Sequence, residues 1–319
     1  MSRARFNVIA AGPLVTLQDR GRPGFMRFGV PASGPMDRKS HAVAAAALGG
    51  LSRGPAIEVS RGGLTLECSE GRVTIAIAGG GFTVTLGAQS FGSWCVATIG
   101  EGDRVTISPG HWGSWCYIAF AGNLTADEWL GSRSTLAVNR LGGRVLAAGE
   151  GIVIEDAVVL SAGPRPLPCP IWARPRHRLR VVRGPQDRFF SEATLALLAG
   201  APFTLTDSGD RMGVRLRGPS LPPASALSIP SEPVLRGSVQ VSGDGAATIL
   251  LADHQTTGGY PKIATVISDD IDGLVQCRPH ERIAFQLVSP DEAIGITRVG
   301  AAQLAASLRA IERTGTHRT

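Results

Sequence analysis

Short runs of β-branched and aliphatic residues recur along this chain, and each is stopped within a few positions by glycine or proline. Residues 72–78, 82–86, 104–108, 151–154 and 180–183 are examples, and 41 glycines and 21 prolines supply the punctuation. Such runs fit a pleated, half-buried surface, and the stops between them are turn chemistry. The fold class this predicts is mainly β with a few short helices. Helical spacing is confined to 36–48, 186–199 and 301–313, the last carrying Leu304, Leu308 and Ile311 on one face.

The chain has 319 residues, 43% of them hydrophobic, enough to fill a sizeable core without covalent staples. Five cysteines (Cys68, Cys95, Cys116, Cys169 and Cys277) form no C-x-x-C pair, so reduced thiols packed as small hydrophobes, and a cytoplasmic location, are expected. No closely spaced His/Cys set marks a zinc site, so no metal is expected. No apolar run reaches the length of a membrane span, and the basic start lacks the apolar stretch of an export signal. The formal charge of +6 comes from scattered arginines without basic blocks, which argues against nucleic acid as partner. Only two lysines are present, Lys39 and Lys262.

The proline-rich segment 162–170 removes several ladder donors, so it reads as a linker unable to continue a sheet. The halves on either side echo each other. Arg22 and Arg211 each begin an Arg-x-Gly-x4-Gly pattern, and Glu58-Val59-Ser60-Arg61-Gly62 is matched by the stretch from Glu232 to Arg236-Gly237. Two related β-barrel lobes follow, with boundaries at 1–165 and 175–298 and a C-terminal helix and tail at 299–319.

Two polar constellations carry chemistry. In the first, Gln240 lies on the strand face opposite Val239 and Val241, and Asp253-His254 ends the next apolar strand. If those strands are neighbours, Glu232, Gln240, Asp253 and His254 converge. Thr256-Thr257-Gly258-Gly259 then offers hydroxyls and open backbone N–H groups to an oxyanion, and His254 is the natural proton carrier. The same residues also satisfy a plain turn. In the second, Arg20, Arg22 and Arg27 among glycines suit a carboxylate or phosphate clamp. Asp37 there also sits where a helix should begin, as a cap. Gly131-Ser132-Arg133-Ser134-Thr135 and Gly142-Gly143-Arg144 are dense in donors but serve equally as turns, and Trp112-Gly113-Ser114-Trp115 reads as core. The glycines at 79–81 lie between two strand-like runs, which excludes a dinucleotide fingerprint, and no P-loop is present.

The segments "TLQDRGRPGFMRFGVPASGPMDR", "GSRST", "LGGR", "VVRGPQDRFF", "SGDRMGVRLRGP", "IPSEPVLRGSVQV" and "LADHQTTGGYPKIATVISDD" stand in the order and spacing of one family, across 8–288. The chain resembles the biotin-dependent carboxyltransferase, or allophanate hydrolase subunit 2, family, which includes the C-type subunit of 5-oxoprolinase, also called KipA. The resemblance implies two cyclophilin-like β-barrel lobes. It implies work with a KipI-like subunit of the B type, and with a lactam-utilisation subunit of the A type, to open 5-oxoproline using ATP. Alternatives within the same resemblance are carboxyl transfer to urea from carboxybiotin borne by a partner, and a regulatory module that sequesters a kinase inhibitor.

Ser231, Glu232, Gln240, Asp253, Thr256, Thr257, Gly258, Gly259, Tyr260 and Lys262 fill the family's most distinctive segments, and Asp19, Arg20, Gly34, Asp37, Arg133 and Arg211 fill others. Chemistry then assigns Asp253, His254, Thr256, Thr257, Glu232 and Gln240 to catalysis. Arg20, Arg211, Gly258, Gly259, Tyr260, Lys262, Arg133 and Asp37 are assigned to substrate binding, with Arg20 or Arg211 on a substrate carboxylate. The chain departs from the pattern where Pro233 and His280 replace usual glycines.

Overall fold

The computed structural model describes residues 2–160, 163–224 and 229–315. The chain divides into two compact units. The first comprises Met1–Arg22, Asp37–Arg174 and Gln303–Thr319, and the second Pro23–Met36 and Pro175–Ala302. This is not the linear division drawn from the sequence. Residues 34–36 belong with the second unit because its own arginines take their carbonyls: Arg211 Nη2 donates to Gly34 O at 2.7 Å, and Arg236 donates to Pro35 O at 3.1 Å and to Met36 O. The tail beyond Gly315 and Ala162 of the expected linker lie outside the described residues.

The class is mainly β. In the first unit a seven-stranded sheet runs in the order Asn123–Leu124, Gly151–Glu155, Arg3–Ala11, Leu64–Glu70, Arg104–Trp112, Gly81–Leu86, Gln89–Gly92. A six-stranded sheet runs Arg165–Pro166, Cys95–Gly100, Arg72–Ala78, Trp115–Phe120, Ala56–Ser60, Thr16–Gln18. One cluster of buried residues, among them Phe6, Ile57, Ile75, Ile118 and Phe120, fills this unit. Trp115 is buried as expected, whereas Trp112 is half-buried with the Arg174 guanidinium 4.3 Å above its ring. The proline-rich segment does join a sheet: Arg165 pairs with Val96 and Pro166 with Cys95. An edge strand needs ladder donors on one side only, so Pro166 is tolerated there.

The second unit is a closed barrel of seven strands, in the order Arg178–Arg183, Lys262–Val266, Ser238–Val241, Ala247–Leu250, Gly213–Arg217, Pro202–Gly209, Arg282–Leu287. The last strand closes onto the first in parallel. Leu179, Val181, Phe203, Val239, Val241, Ile249, Ile263 and Phe285 are buried, with Phe203 and Phe285 in an edge-to-face contact at 5.4 Å. A two-stranded ribbon, Glu232–Pro233 with Thr257–Gly258, completes the unit.

Among the described residues the α-helices are α1 (Arg38–Ala46), α2 (Glu192–Gly200), α3 (Ser268–Val275) and α4 (Pro290–Gly315). α1 starts where expected, with Asp37 as its cap. The expected 186–199 helix is split: a 3-10 turn at Asp187–Phe189 precedes α2, which Ser191 caps by accepting from Thr194 N at 3.1 Å. α4 begins well before 301. Ser289 and Glu292 form a reciprocal capping box around Pro290, a start signal hidden in sequence by the poor helix formers Gly295, Val299 and Gly300. No helix among the described residues is long and apolar enough to cross a membrane.

His280, one of the two departures from the family pattern, has φ +70°. That backbone conformation is free to glycine and costs another residue on the order of 1 kcal/mol.

Candidate functional site

All four residues of Ser238–Val241 are buried, and strand alternation puts Val239 and Val241 on one face and Gln240 on the other. The ladder places Gln240 opposite Thr248 on one neighbour and opposite Lys262 on the other, so these three residues share a face. After Leu250 the chain passes through Asp253 and turns back, and its ribbon segment pairs Gly258 with Glu232 and Thr257 with Pro233. The ribbon roofs Gln240. A Cβ at Gly258 would stand 2.3 Å from Gln240 Nε2, so a larger residue here would displace the Gln240 amide.

Under the ribbon lies a polar cluster. Lys262 Nζ is 3.4 Å from Glu232 Oε2; the lysine side chain is 2% exposed and the glutamate side chain 44%. Gln186 Nε2 donates to the same carboxylate oxygen, and Gln186 Oε1 accepts from Lys262 N at 3.2 Å. Gly184 permits this, because its backbone lies against Lys262 so closely that a Cβ would be 2.0 Å from Lys262 O. Gln255 Nε2 donates to Gln240 Oε1 at 3.1 Å. Gln240 Nε2 is buried without a hydrogen-bond partner among the described residues. An unpaired buried amide costs about 1–3 kcal/mol, which a ligand carbonyl would recover. A half-open carboxylate, a buried ammonium and an unspent amide donor suit a small planar amide.

Asp253 and Arg211 are placed otherwise than the sequence reading assigned them. Arg211 Nε and Nη2 donate to the two Asp253 carboxylate oxygens at 2.8 and 2.9 Å, both side chains are at most 2% exposed, and Nη2 also serves Gly34 O. A guanidinium committed in this way has no fork left for a substrate carboxylate, and the Asp253 carboxylate is fixed as its counter-charge. His254 is buried, with Nδ1 2.6 Å from Gln255 O, so that nitrogen carries the proton. The turn at 256–259 is part of the ribbon. Thr257 and Gly258 are ribbon strand, and Thr256 O accepts from Val234 N at 3.1 Å. Thr257 and Tyr260 are exposed, Gly259 is half-buried, and Pro233 sits on the exposed ribbon.

The remaining candidates belong to the first unit. Asp19 accepts from Ser132 Oγ, Ser134 Oγ and Arg133 N, each at 2.6 Å, and from Gly21 N at 2.8 Å. Burial raises its carboxyl, but these four bonds outweigh that and hold it below its ordinary value. Arg133 reaches Asn123 Oδ1 at 3.0 Å and lies 3.6 Å from Glu128, while Arg20 is exposed. Asp37 is the α1 cap, accepting from Ser40 N at 2.9 Å and from Ser40 Oγ at 2.6 Å. Sequence reasoning missed Gln186 and Gln255. Gln186 lies within the quoted "VVRGPQDRFF", but nothing local ties it to Glu232, 46 positions away.

Residues 28–287 match the family model for the carboxyltransferase domain, subdomain A and B. The chain is 30% identical over 286 residues to the 5-oxoprolinase C subunit of Haemophilus influenzae, covering 89% of this chain and 91% of the relative. It is 31% identical over 290 residues to the 5-oxoprolinase C subunit of Escherichia coli K12, covering 90% and 92%. Among solved structures, TTHA0988 superposes with a TM-score of 0.79 at 31% identity, over 89% of this chain and 55% of that one. The Kluyveromyces lactis urea carboxylase superposes with a TM-score of 0.85 at 25% identity, over 96% of this chain and 29% of that one.

Proposed function

The chain belongs to the carboxyltransferase-domain family, and on that footing we propose that it is the C-type component of a multi-subunit 5-oxoprolinase. It acts with a KipI-like B-type component and a lactam-utilisation A-type component to open 5-oxoproline to glutamate at the expense of ATP. One observation carries this reading: the match to two 5-oxoprolinase C subunits runs nearly end to end in both partners, whereas the urea carboxylase likeness takes in 29% of that chain.

The cluster suits the substrate. The lactam N–H points to the half-open Glu232 carboxylate, and its carbonyl to the unspent Gln240 Nε2. Lys262 and Gln186 hold Glu232 in position. Water adds to the lactam carbonyl carbon, and the Lys262 ammonium stabilises the negative charge this puts on the carbonyl oxygen; that charge collapses as the ring C–N bond breaks, the proton lost by the added water going to the departing nitrogen. ATP, when bound, supplies the driving force. The cluster's single ammonium is already matched by Glu232 and does not fit a triphosphate, so the nucleotide is assigned to the partner subunits and no step is routed through it here.

A second reading rests on the urea carboxylase likeness: carboxyl transfer from carboxybiotin to urea or a similar amide, in the same cluster. The biotin would sit on a partner, because Lys39 and Lys262 follow Arg38 and Pro261 and not the methionine of a biotin acceptor. The deciding experiment assembles the chain with its partner subunits and measures ATP-dependent glutamate release from 5-oxoproline. Wild type is expected to be active, and Lys262→Met and Gln240→Leu inactive. An assembled complex that releases no glutamate but carboxylates urea would overturn the first reading in favour of the second.

A further inference from the structure

Three ligand-bearing side chains that are far apart in sequence meet in the second unit, and none belongs to the Glu232 cluster. The parallel pairing of Arg178–Arg183 with Arg282–Leu287, with Ala284 N donating to His177 O at 2.7 Å, sets His177 beside the start of the last strand. Cys277 follows the end of α3, its N–H on Leu274 O at 2.9 Å. Between Cys277 and Glu281 the chain turns through His280 in its left-handed conformation, which brings both side chains to the same place. His177 Nε2 lies 3.0 Å from Glu281 Oε2, and the thiol sulfur, the ring nitrogen and a carboxylate oxygen all fall within 4.8 Å of one another.

We propose that His177, Cys277 and Glu281 form a binding site for one divalent ion of borderline softness, zinc foremost. One sulfur, one imidazole and one carboxylate oxygen are the ligand types zinc selects, with water as the fourth ligand. Bonds of about 2.0–2.3 Å on a tetrahedron place ligand atoms roughly 3.3–3.8 Å apart. The set approaches that spacing once the His177–Glu281 gap widens slightly and these two side chains close on the buried sulfur. His177 is exposed and free to adjust, while Cys277 is buried and fixes the site's depth.

The step balances simply. The Cys277 S–H bond breaks, the sulfur–metal bond forms, and the proton leaves to water. Without metal, His177 Nε2–H donates to Glu281 Oε2; on binding, that hydrogen bond breaks, the Nε2 proton passes to water, Nδ1 holds the remaining ring proton, and the Nε2 lone pair goes to the metal. Before metal binds, the thiol faces the carbonyls of Arg176 at 3.4 Å and Gly273 at 3.6 Å. The nearby Arg176 guanidinium is turned to Asp270 at 3.3 Å, which offsets its charge. The bound ion would tie α3 to both strands of the barrel's parallel closure.

The test uses the full chain, stripped with chelator and titrated with Co(II). The expected result is a sulfur-to-cobalt charge-transfer band saturating at one ion per chain and displaced by Zn(II). Cys169→Ser should leave it unchanged, Cys277→Ser should abolish it, and His177→Gln should weaken Co(II) affinity by at least about tenfold. Zn(II) should raise the melting temperature of wild type and not of His177→Gln. No thiolate band in wild type, or the same band in Cys277→Ser, overturns the site. Should Cys277→Ser fail to fold, the exposed His177→Gln decides, and unchanged Co(II) affinity in that variant overturns it equally.

Discussion

Glu58 and Glu232 open the same short sequence echo, one in each unit, and meet opposite fates. Glu58 sits on Ala56–Ser60, a strand paired on both sides, and is fully buried. Tyr117 OH donates to its Oε2 at 2.8 Å and accepts from Asp37 N at 2.7 Å. Burial first, then the Glu58 and Asp37 charges, push that phenol well above its usual range. Glu232 sits on a two-stranded ribbon, half-open to solvent, beside a buried ammonium and an amide with a spare donor. One carboxylate is structural and the other chemically available. The residue type is the same, and the number of flanking strands separates them.

That contrast sorts the acidic residues into closed and open sets. The largest effect belongs to the most enclosed pair. Asp253→Ala strands the buried Arg211 and should cost about 3–5 kcal/mol in urea unfolding. Loss of the proposed activity with stability intact would instead move Asp253 to the open set. Tyr117→Phe removes the phenol's bonds to Asp37 N and Glu58 Oε2 inside the first unit and should cost about 1–3 kcal/mol, with KM for the proposed substrate unchanged.

Asp19→Asn should show a pH signature. The folded carboxyl lies below its unfolded value near 3.9, so its contribution is fully present above about pH 4 and is lost as pH falls through the folded value. The stability gap between variant and wild type should therefore close in acid, and a gap constant from pH 7 to pH 2 would refute the assignment. Smallest in stability is Lys262→Met, within about 1 kcal/mol, because Glu232 can turn to water when its partner is removed. Its proposed activity should nonetheless vanish, as calorimetry and glutamate release measured on the same preparation would establish.

Some of this was legible in the residues. The strand reading at 238–241 singled out Gln240, which the structure pairs with Thr248 and Lys262 and bonds to Gln255, and Asp37 before an alanine-rich run marked the start of α1. α3 was not legible, since Ser-Asp-Asp-Ile-Asp-Gly is a weak helix former that gains only the favourable charge of Asp269 and Asp270 in its first turn. Arg211 looked like a ligand clamp because sequence shows a guanidinium's charge and hides its partner. Asp253 lies 42 positions away and fills the fork.

The sequence by itself determined the mainly-β class and which side chains share a strand face, because backbone preference and the two-residue period act over neighbouring residues. Only the tertiary structure decided which carboxylates stay available, which arginines are spent on the chain's own carbonyls, and that His177 meets Cys277. Those outcomes depend on burial and on partners tens of residues distant. Charge compensation in a low-dielectric interior is a property of the packed neighbourhood, and local spacing does not encode it.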